Sequence, residues 1–200
     1  MKHINRFIVG VSLAMLIVTP NLFSQVIEEI VVTARKKEEN LQDVAISVNA
    51  ISSEMINRLG IKDLNDVTKM DPSLTFDRGF APDDIRIAIR GIVNNRGRPV
   101  VATVVDGVDI SSETLSTAGS SSLISPRIID VERIEVVKGP QIALYGRTAF
   151  AGAIQYVTKD AADELETSVS LDVAQDGFHE TRLTTSGPIS DTMGFRFNAL

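Results

Sequence analysis

Few side chains in this chain could do chemistry. His179 is the one histidine outside the first 24 residues, and it stands apart from any other candidate ligand or base. A general base or metal ligand needs partners, so a solitary histidine in a hairpin reads as a surface residue. None of the 200 residues is cysteine, which excludes disulfide scaffolds, zinc–thiolate sites and thiol nucleophiles. The sequence has no G-x-S-x-G elbow, H-E-x-x-H helix or calcium-loop pattern. Gly139 and Gly146 followed by Arg147-Thr148 have the outline of a phosphate loop. The spacing is too long, however, and arginine stands where the phosphate-reading lysine belongs. The carboxylates are scattered without a converging pair. An enzyme is unsupported by these residues, and the expectation is a non-enzyme without cofactor or metal.

Composition narrows the partners. Hydrophobic residues make up 44% and charged residues 23%, a globular balance. Met1 to Arg6 carries Lys2 and Arg6, Phe7 to Thr19 is free of charge, and Pro20 to Ser24 forms a short polar exit. That is the layout of a secretory signal, expected over residues 1–24 with cleavage after Ser24, although Leu22 fits the −3 position less well than a small residue. Without Lys2 and Arg6 the 20 basic residues fall to 18 against 26 acidic, a net of −8. A chain that acidic, without tryptophan, is not a nucleic-acid binder. Export without cysteine fits a bacterial envelope protein. No later stretch reaches the roughly 20 apolar residues of a spanning helix.

The positioning elements follow from periodicity. Ile30-Val31-Val32-Thr33 is β-branched throughout and favours extended backbone. Arg35 to Asn40 is a charged run that reads as a solvated tether. A lone strand in such a leader needs an edge to pair with, either a partner's sheet or its own domain's. From the residues alone both remain open. Residues 44–160 then mix short strands and short helices, an α+β pattern. Val44, Ile46 and Val48 alternate with polar or small residues. Ser53 can cap a helix ending at Leu59 before Gly60, and Asp63 a second one closed by Asp71-Pro72. Ile85, Ile87 and Ile89 alternate, and Val100 to Val105 and Val108 to Ile110 flank Asp106-Gly107, a pair suited to a tight turn. Ser111 to Ser125 reads as a loop. Val131 to Lys138 is a strand with Val131, Arg133, Glu135 and Val137 on one face, broken by Gly139-Pro140. Gly152 to Lys159 is the last strand of this region.

From residue 161 the character changes. Val169, Leu171 and Val173 alternate with polar neighbours, Gln175-Asp176-Gly177 turns the chain, Phe178 to Ser186 alternates poorly, and Gly187 to Asp191 makes a second turn. Met193, Phe195 and Phe197 alternate again. Alternating segments of about ten residues joined by turns are the mark of a transmembrane barrel. Three open-edged strands cannot sit in lipid alone, because unpaired backbone groups there cost several kcal/mol each. With Leu200 in mid-strand, either the rest of a barrel is missing or the tail is not membrane-embedded, and from these strands alone an ordinary soluble antiparallel sheet remains the other reading.

Several stretches resemble one family, the TonB-dependent outer-membrane receptors. Glu28-Glu29-Ile30-Val31-Val32-Thr33-Ala34 is similar to the TonB box, Ile89-Arg90-Gly91 to an "IRG" element and Val104 to Val108 to a "DGV" turn. Val131-Glu132-Arg133-Ile134-Glu135-Val136-Val137-Lys138-Gly139-Pro140-Gln141, Leu144-Tyr145-Gly146-Arg147, Gly152-Ala153-Ile154 and Val157-Thr158-Lys159 follow the family's "ERIEVLRGPQ…LYGR…GAINIVTK" order and spacing. The resemblance covers about residues 27 to 160. It implies a TonB box and tether at 25–43, a plug at 44–160 made of a small mixed sheet with short helices, and the first antiparallel strands of an incomplete transmembrane β-barrel at 161–200. The family's barrel has about 22 strands around a plugged lumen. The resemblance further implies gated uptake of a scarce nutrient such as a ferric siderophore. The partners would be TonB with its inner-membrane energising complex, the chain's own barrel and the outer membrane. Arg90 and Lys138 would pair with barrel carboxylates, the latter as a lysine where arginine is usual and therefore without a two-pronged grip. Asp106, Gly107, Gly139 and Pro140 would be structural turns. With so little chain ahead of the TonB box, a signalling domain is not expected. The alternative is a free periplasmic plug-like binding module.

Overall fold

The computed structural model describes residues 30–78, 85–93, 98–111 and 129–200. The expected leader, Glu28, Glu29 and nearly all of the serine-rich loop lie outside them. The strands are β1 (Val31–Val32), β2 (Glu39–Asn40), β3 (Ser47–Ser52), β4 (Leu74–Arg78), β5 (Ile85–Ile89), β6 (Val101–Val105), β7 (Val108–Asp109), β8 (Val131–Lys138), β9 (Gly152–Thr158), β10 (Glu166–Val173), β11 (His179–Ser190) and β12 (Met193–Ala199). The helices are α1 (Ser53–Leu59), α2 (Leu64–Met70) and the single turn α3 (Ile142–Tyr145).

Local chemistry explains most boundaries. The Ser52 hydroxyl, not that of Ser53, accepts from the Met55 amide at 3.4 Å, because Ser52 is the residue still extended, at φ −73° and ψ 162°. Gly60 closes α1 in the left-handed conformation at φ 63°. Asp63 caps α2 through the Asp66 amide at 3.0 Å. The strand expected around Val44 begins three residues later and runs to Ser52, where β8 supplies its partner. Strand β4 and helix α3 have no clear sequence signal. Strand β4 exists because β5 pairs with it from Leu74↔Ile89 to Arg78↔Ile85.

The mixed domain is a five-stranded sheet in the order β3-β8-β9-β6-β7, antiparallel except where β6 runs parallel to β9. One face carries the core: Ile51, Ile134, Val136, Ile154 and Tyr156 pack with Ile56 of α1, Leu64 and Val67 of α2, and Leu74, Ile87 and Ile89 of the β4–β5 hairpin. The opposite face is less apolar. It gathers Ala102, Val104, Val137, Tyr145, Ala149 and Ala153, with Glu135 and Gln155 buried among them. Val131 departs from the strict alternation expected of β8. A bulge between Val131 and Arg133 shifts the register, and Val131 joins the core with Ile134 and Val136.

Strands β10, β11 and β12 form a separate antiparallel sheet. The pairs Val169↔Leu183, Leu183↔Ala199 and Thr185↔Phe197 fix which residues share a face. On the outer face Val169, Leu171, Val173 and Phe197 are 68%, 67%, 74% and 55% exposed. The inner face holds Ser186 and Thr184, both buried, and Arg196, and it lies toward the mixed domain. A cleft of about 200 Å³ between the two bodies is lined by Asn57, Asp130, Lys159, Arg182 and Thr184, among others. The sheet is inside out by the standard of a protein in water: it covers polar side chains and bares apolar ones. Strand β11 also runs to Ser190, past the turn expected at Gly187. Gly187 and Pro188 pair with Phe195 and Gly194, and a bulge follows Pro188, so the chain reverses at Asp191-Thr192 instead.

Among the described residues, no helix is long and apolar enough to cross a membrane. Gly152 shows how closely the core is packed. At φ +153°, a Cβ there would stand 2.2 Å from the Val137 carbonyl oxygen and 2.7 Å from Ile89 Cδ1. Gly152→Ala should therefore destabilise the mixed domain by roughly 1–3 kcal/mol. The check is amide exchange across β8 and β9, where protection should fall.

Candidate functional site

Site construction begins on the less apolar face of the sheet. Glu135 and Gln155 are direct cross-strand neighbours on β8 and β9. Arg133, two residues before Glu135 and so on the same face, donates from Nε to Glu135 Oε1 at 2.8 Å. Tyr145 stands beside them because α3 follows the Gly139-Pro140 break and is held by the Tyr145 amide bonding to the Gln141 carbonyl at 2.9 Å. Burial pushes the Tyr145 hydroxyl well above its ordinary range, and the nearby Glu135 charge adds to that, so it stays a neutral donor.

Onto this cluster the N-terminal segment folds. The Thr33 amide donates to Glu135 Oε1 at 2.8 Å, and its hydroxyl reaches the same oxygen at 3.1 Å. Gln155 Nε2 donates to Thr33 Oγ1 at 2.7 Å. Tyr145 Oη lies 2.8 Å from both the Ala34 carbonyl and Gln155 Oε1. Val32 and Ala34 are completely buried, whereas Val31 is 41% exposed. Beyond them Lys36, at φ 61°, turns the chain, donates to the Gly107 carbonyl at 3.1 Å and lies 4.8 Å from the centre of the Tyr145 ring.

The run expected to be a solvated tether is therefore folded back: Val31 and Val32 pair with Asn40 and Glu39, and Arg35 meets Glu39 at 3.4 Å. Composition could not show this, because the stabilising groups are more than 100 residues away in sequence. The Leu41 amide bonds to the Ile30 carbonyl, so residues 30 and 32 face β2. Val31 and Thr33 therefore face the other edge of β1, which has no strand partner among the described residues. On that edge the Glu135 carboxylate takes the Thr33 donor that a neighbouring strand would take. Its second oxygen is buried and has no hydrogen-bond partner among the described residues. Neutral hydrogen bonds contribute about 1 kcal/mol net and charge-assisted ones about 1.5–3, so several such bonds together hold the segment against the sheet.

The other candidate residues fall elsewhere. Asp106 and Gly107, at φ 45° and 83°, form the corner between β6 and β7. Asp106 also accepts from the Thr158 amide at 2.9 Å and hydroxyl at 2.8 Å, fastening that corner to the end of β9. Gly139, at φ 102°, ends β8 with its amide on the Ala151 carbonyl, and Pro140 follows. Arg90 and Gly91, at φ 53° and 78°, make a tight turn bridged by Ile89 and Ile92, and the Arg90 side chain is exposed.

Lys138 lies 2.8 Å from Asp71, inside the mixed domain. Asp71 also accepts from Asn49 and from the amide and hydroxyl of Ser73. Burial by itself would raise the Asp71 carboxyl, but the bonds from Lys138, Ser73 and Asn49 outweigh it and hold the group at about 2. Three functional positions escaped sequence reasoning: Glu135, Gln155 and Tyr145. Glu135 and Gln155, each set between apolar neighbours at mid-strand in β8 and β9, are the signal that was present.

Two outcomes follow from this geometry. Glu135→Ala should speed exchange of the Thr33 amide about tenfold or more, by removing its acceptor, with little change in the β4–β5 hairpin; site-resolved hydrogen exchange reads it. Because the folded Asp71 value lies below its ordinary 3.8, the stability it contributes is present above about pH 4 and is lost as pH falls toward 2. Acid unfolding should show a loss of about 2 kcal/mol across that window. Lys138→Met should remove most of it.

Comparison with known proteins completes the picture. Residues 40–153 match the model of the TonB-dependent receptor plug domain. The chain is 34% identical over 160 residues to the vitamin B12 transporter BtuB of Vibrio vulnificus, covering 80% of this chain and 25% of that protein. It is 28% identical over 172 residues to the ferric enterobactin receptor PirA of Pseudomonas aeruginosa, covering 76% and 22%. Its fold superposes on the crystal structure of the ferripyoverdine receptor of the Pseudomonas aeruginosa outer membrane with a TM-score of 0.68 at 19% identity, over 82% of this chain and 21% of that one. The ferric yersiniabactin uptake receptor FyuA of Yersinia pestis gives 0.63 at 23% identity, over 73% and 22%. The chain thus spans about a quarter of the length of the curated relatives it matches.

Proposed function

The chain belongs to the TonB-dependent receptor plug-domain family, and on that premise we propose that it is the plug region and first wall strands of an outer-membrane transporter that gates energy-coupled uptake of a scarce nutrient. The observation that carries this reading is the inside-out sheet: the plug sits on its polar face, and its apolar face is bare. Such a sheet suits a wall with lipid outside and a stopper inside. A free periplasmic module would leave the same valines, leucine and phenylalanine in water, which disfavours that alternative.

In this reading Glu28 to Ala34 is the TonB-binding segment. TonB adds a strand to the open edge of β1, where Val31 and Thr33 point their backbone groups. To do so it competes with Glu135 for the Thr33 amide. Once paired, the segment is pulled toward the periplasm, and the Gln155 and Tyr145 contacts give way with it. The names of two relatives, a vitamin B12 transporter and a ferric enterobactin receptor, support a substrate of that kind, vitamin B12 or a ferric siderophore.

Val31→Pro removes a donor on the open edge and leaves the face toward β2 unchanged. In the full-length receptor it should reduce uptake of cyanocobalamin or ferric enterobactin to the level of a strain lacking TonB, with surface binding retained. Unchanged uptake would count against strand addition.

A further inference from the structure

Asp130 is held in an unusual backbone conformation for a non-glycine residue, φ 55°, at the entry to β8. Its carboxylate receives Arg196 of wall strand β12 on both oxygens: Nη2 donates to Oδ1 at 2.7 Å, and Nε bonds to Oδ2. Asn198, next on the same face of β12, donates to Oδ2 at 3.0 Å. Lys159, at the end of β9, stands 4.0 Å away, and its amide bonds to the Asp130 carbonyl at 3.3 Å. Arg196 also reaches the Asp160 carbonyl at 3.1 Å, gripping the connector that joins plug to wall, and Glu166 at 3.5 Å. Asp130 and Arg196 are 9% and 15% exposed, so water screens this pair little. The other plug–wall ion pair among the described residues, Lys62 with Asp172, is 3.5 Å long and about half exposed on both sides. Exposed pairs of that kind contribute little.

We propose that Asp130 is the residue that seats the plug against the barrel wall, through a two-pronged contact with Arg196 supported by Asn198. The polarity is the reverse of what the resemblance implies for Arg90 and Lys138: the acid is on the plug and the arginine on the wall. Lys138 is committed to Asp71 inside the plug, so its ammonium already has a buried partner there. Burial by itself would raise the Asp130 carboxyl, but the hydrogen bonds from Arg196 and Asn198 outweigh it and hold the group below its ordinary range. The anionic form that Arg196 needs is therefore present at neutral pH. Asp130 is a positioning residue: it acts through Arg196 by holding the plug closed over the pore.

The inference rests on the transporter reading, and the experiment separates the two. Asp130→Asn and Arg196→Gln in the full-length receptor should each raise vancomycin entry across the outer membrane about tenfold, the population shift expected for losing a charge-assisted pair. The double variant should leak no more than either single one, since both remove the same contact. Core amides of β8 and β9 should stay protected, which a plug that had merely unfolded would not show. In a full-length background freed of any other cysteine, Asp130→Cys with Arg196→Cys can be bridged by a cleavable bis-methanethiosulfonate linker. Bridging should seal the leak, and reduction should reopen it. A membrane-located Asp130→Asn receptor that stays sealed, leak only with loss of core protection, or cysteines that cannot be bridged would each overturn the assignment. Absence of the wild-type receptor from the outer membrane would instead overturn the transporter reading.

Discussion

A carboxylate with no solvent exposure sits in the middle of a β-sheet, and the N-terminal segment is ordered because of it. Glu135 must be given donors, since an ionised group withdrawn from water is costly when left without them. Arg133 supplies one from its own strand; Thr33 supplies two from a segment that would otherwise have nothing to bind. Gln155 and Tyr145 complete the cradle by orienting the Thr33 hydroxyl and holding the Ala34 carbonyl. A competing strand that takes over the Thr33 backbone leaves Glu135 with Arg133, so release does not strand a bare buried charge.

The two bodies of the chain are held together by different physics. The plug's core is aliphatic, with Leu64, Ile89, Ile134 and Ile154 fully buried, and it behaves as a single packed unit. The contact between the mixed domain and the three-stranded sheet is polar: Asp130 with Arg196 and Asn198, Lys62 with Asp172, and a cleft between them. Apolar packing is insensitive to direction and slow to separate, whereas a polar seam can exchange its partners for water.

Much of the fold was legible because it depends on short-range patterns. Alternation marks β5, β8, β10 and β12; Asp63 and Gly60 mark helix ends; Asp106-Gly107 marks the corner between β6 and β7. The errors have physical causes. Ser52, not Ser53, caps α1 because the chain is extended one residue less than the pattern suggests. Val131 crosses to the core because of a bulge, which has no signature in side-chain alternation. Strand β4 forms only against β5, and the Gly187-Pro188 pair, read as a turn, stays in β11 because β12 pairs alongside it.

By itself, the sequence determined the order of the parts: a β-branched ribbon, a mixed domain with its ordered motif string, and alternating strands with apolar residues on every second position. Those are properties of local backbone preference and spacing, and they need no knowledge of what lies across the fold. Only the tertiary structure decided that the ribbon is docked and not free, that Glu135 holds it, that Lys138 is occupied by Asp71, and that Asp130 meets the wall. Each of these is a pairing of charges or donors far apart in the chain, and its energy depends on distance and burial, which no run of neighbouring residues contains.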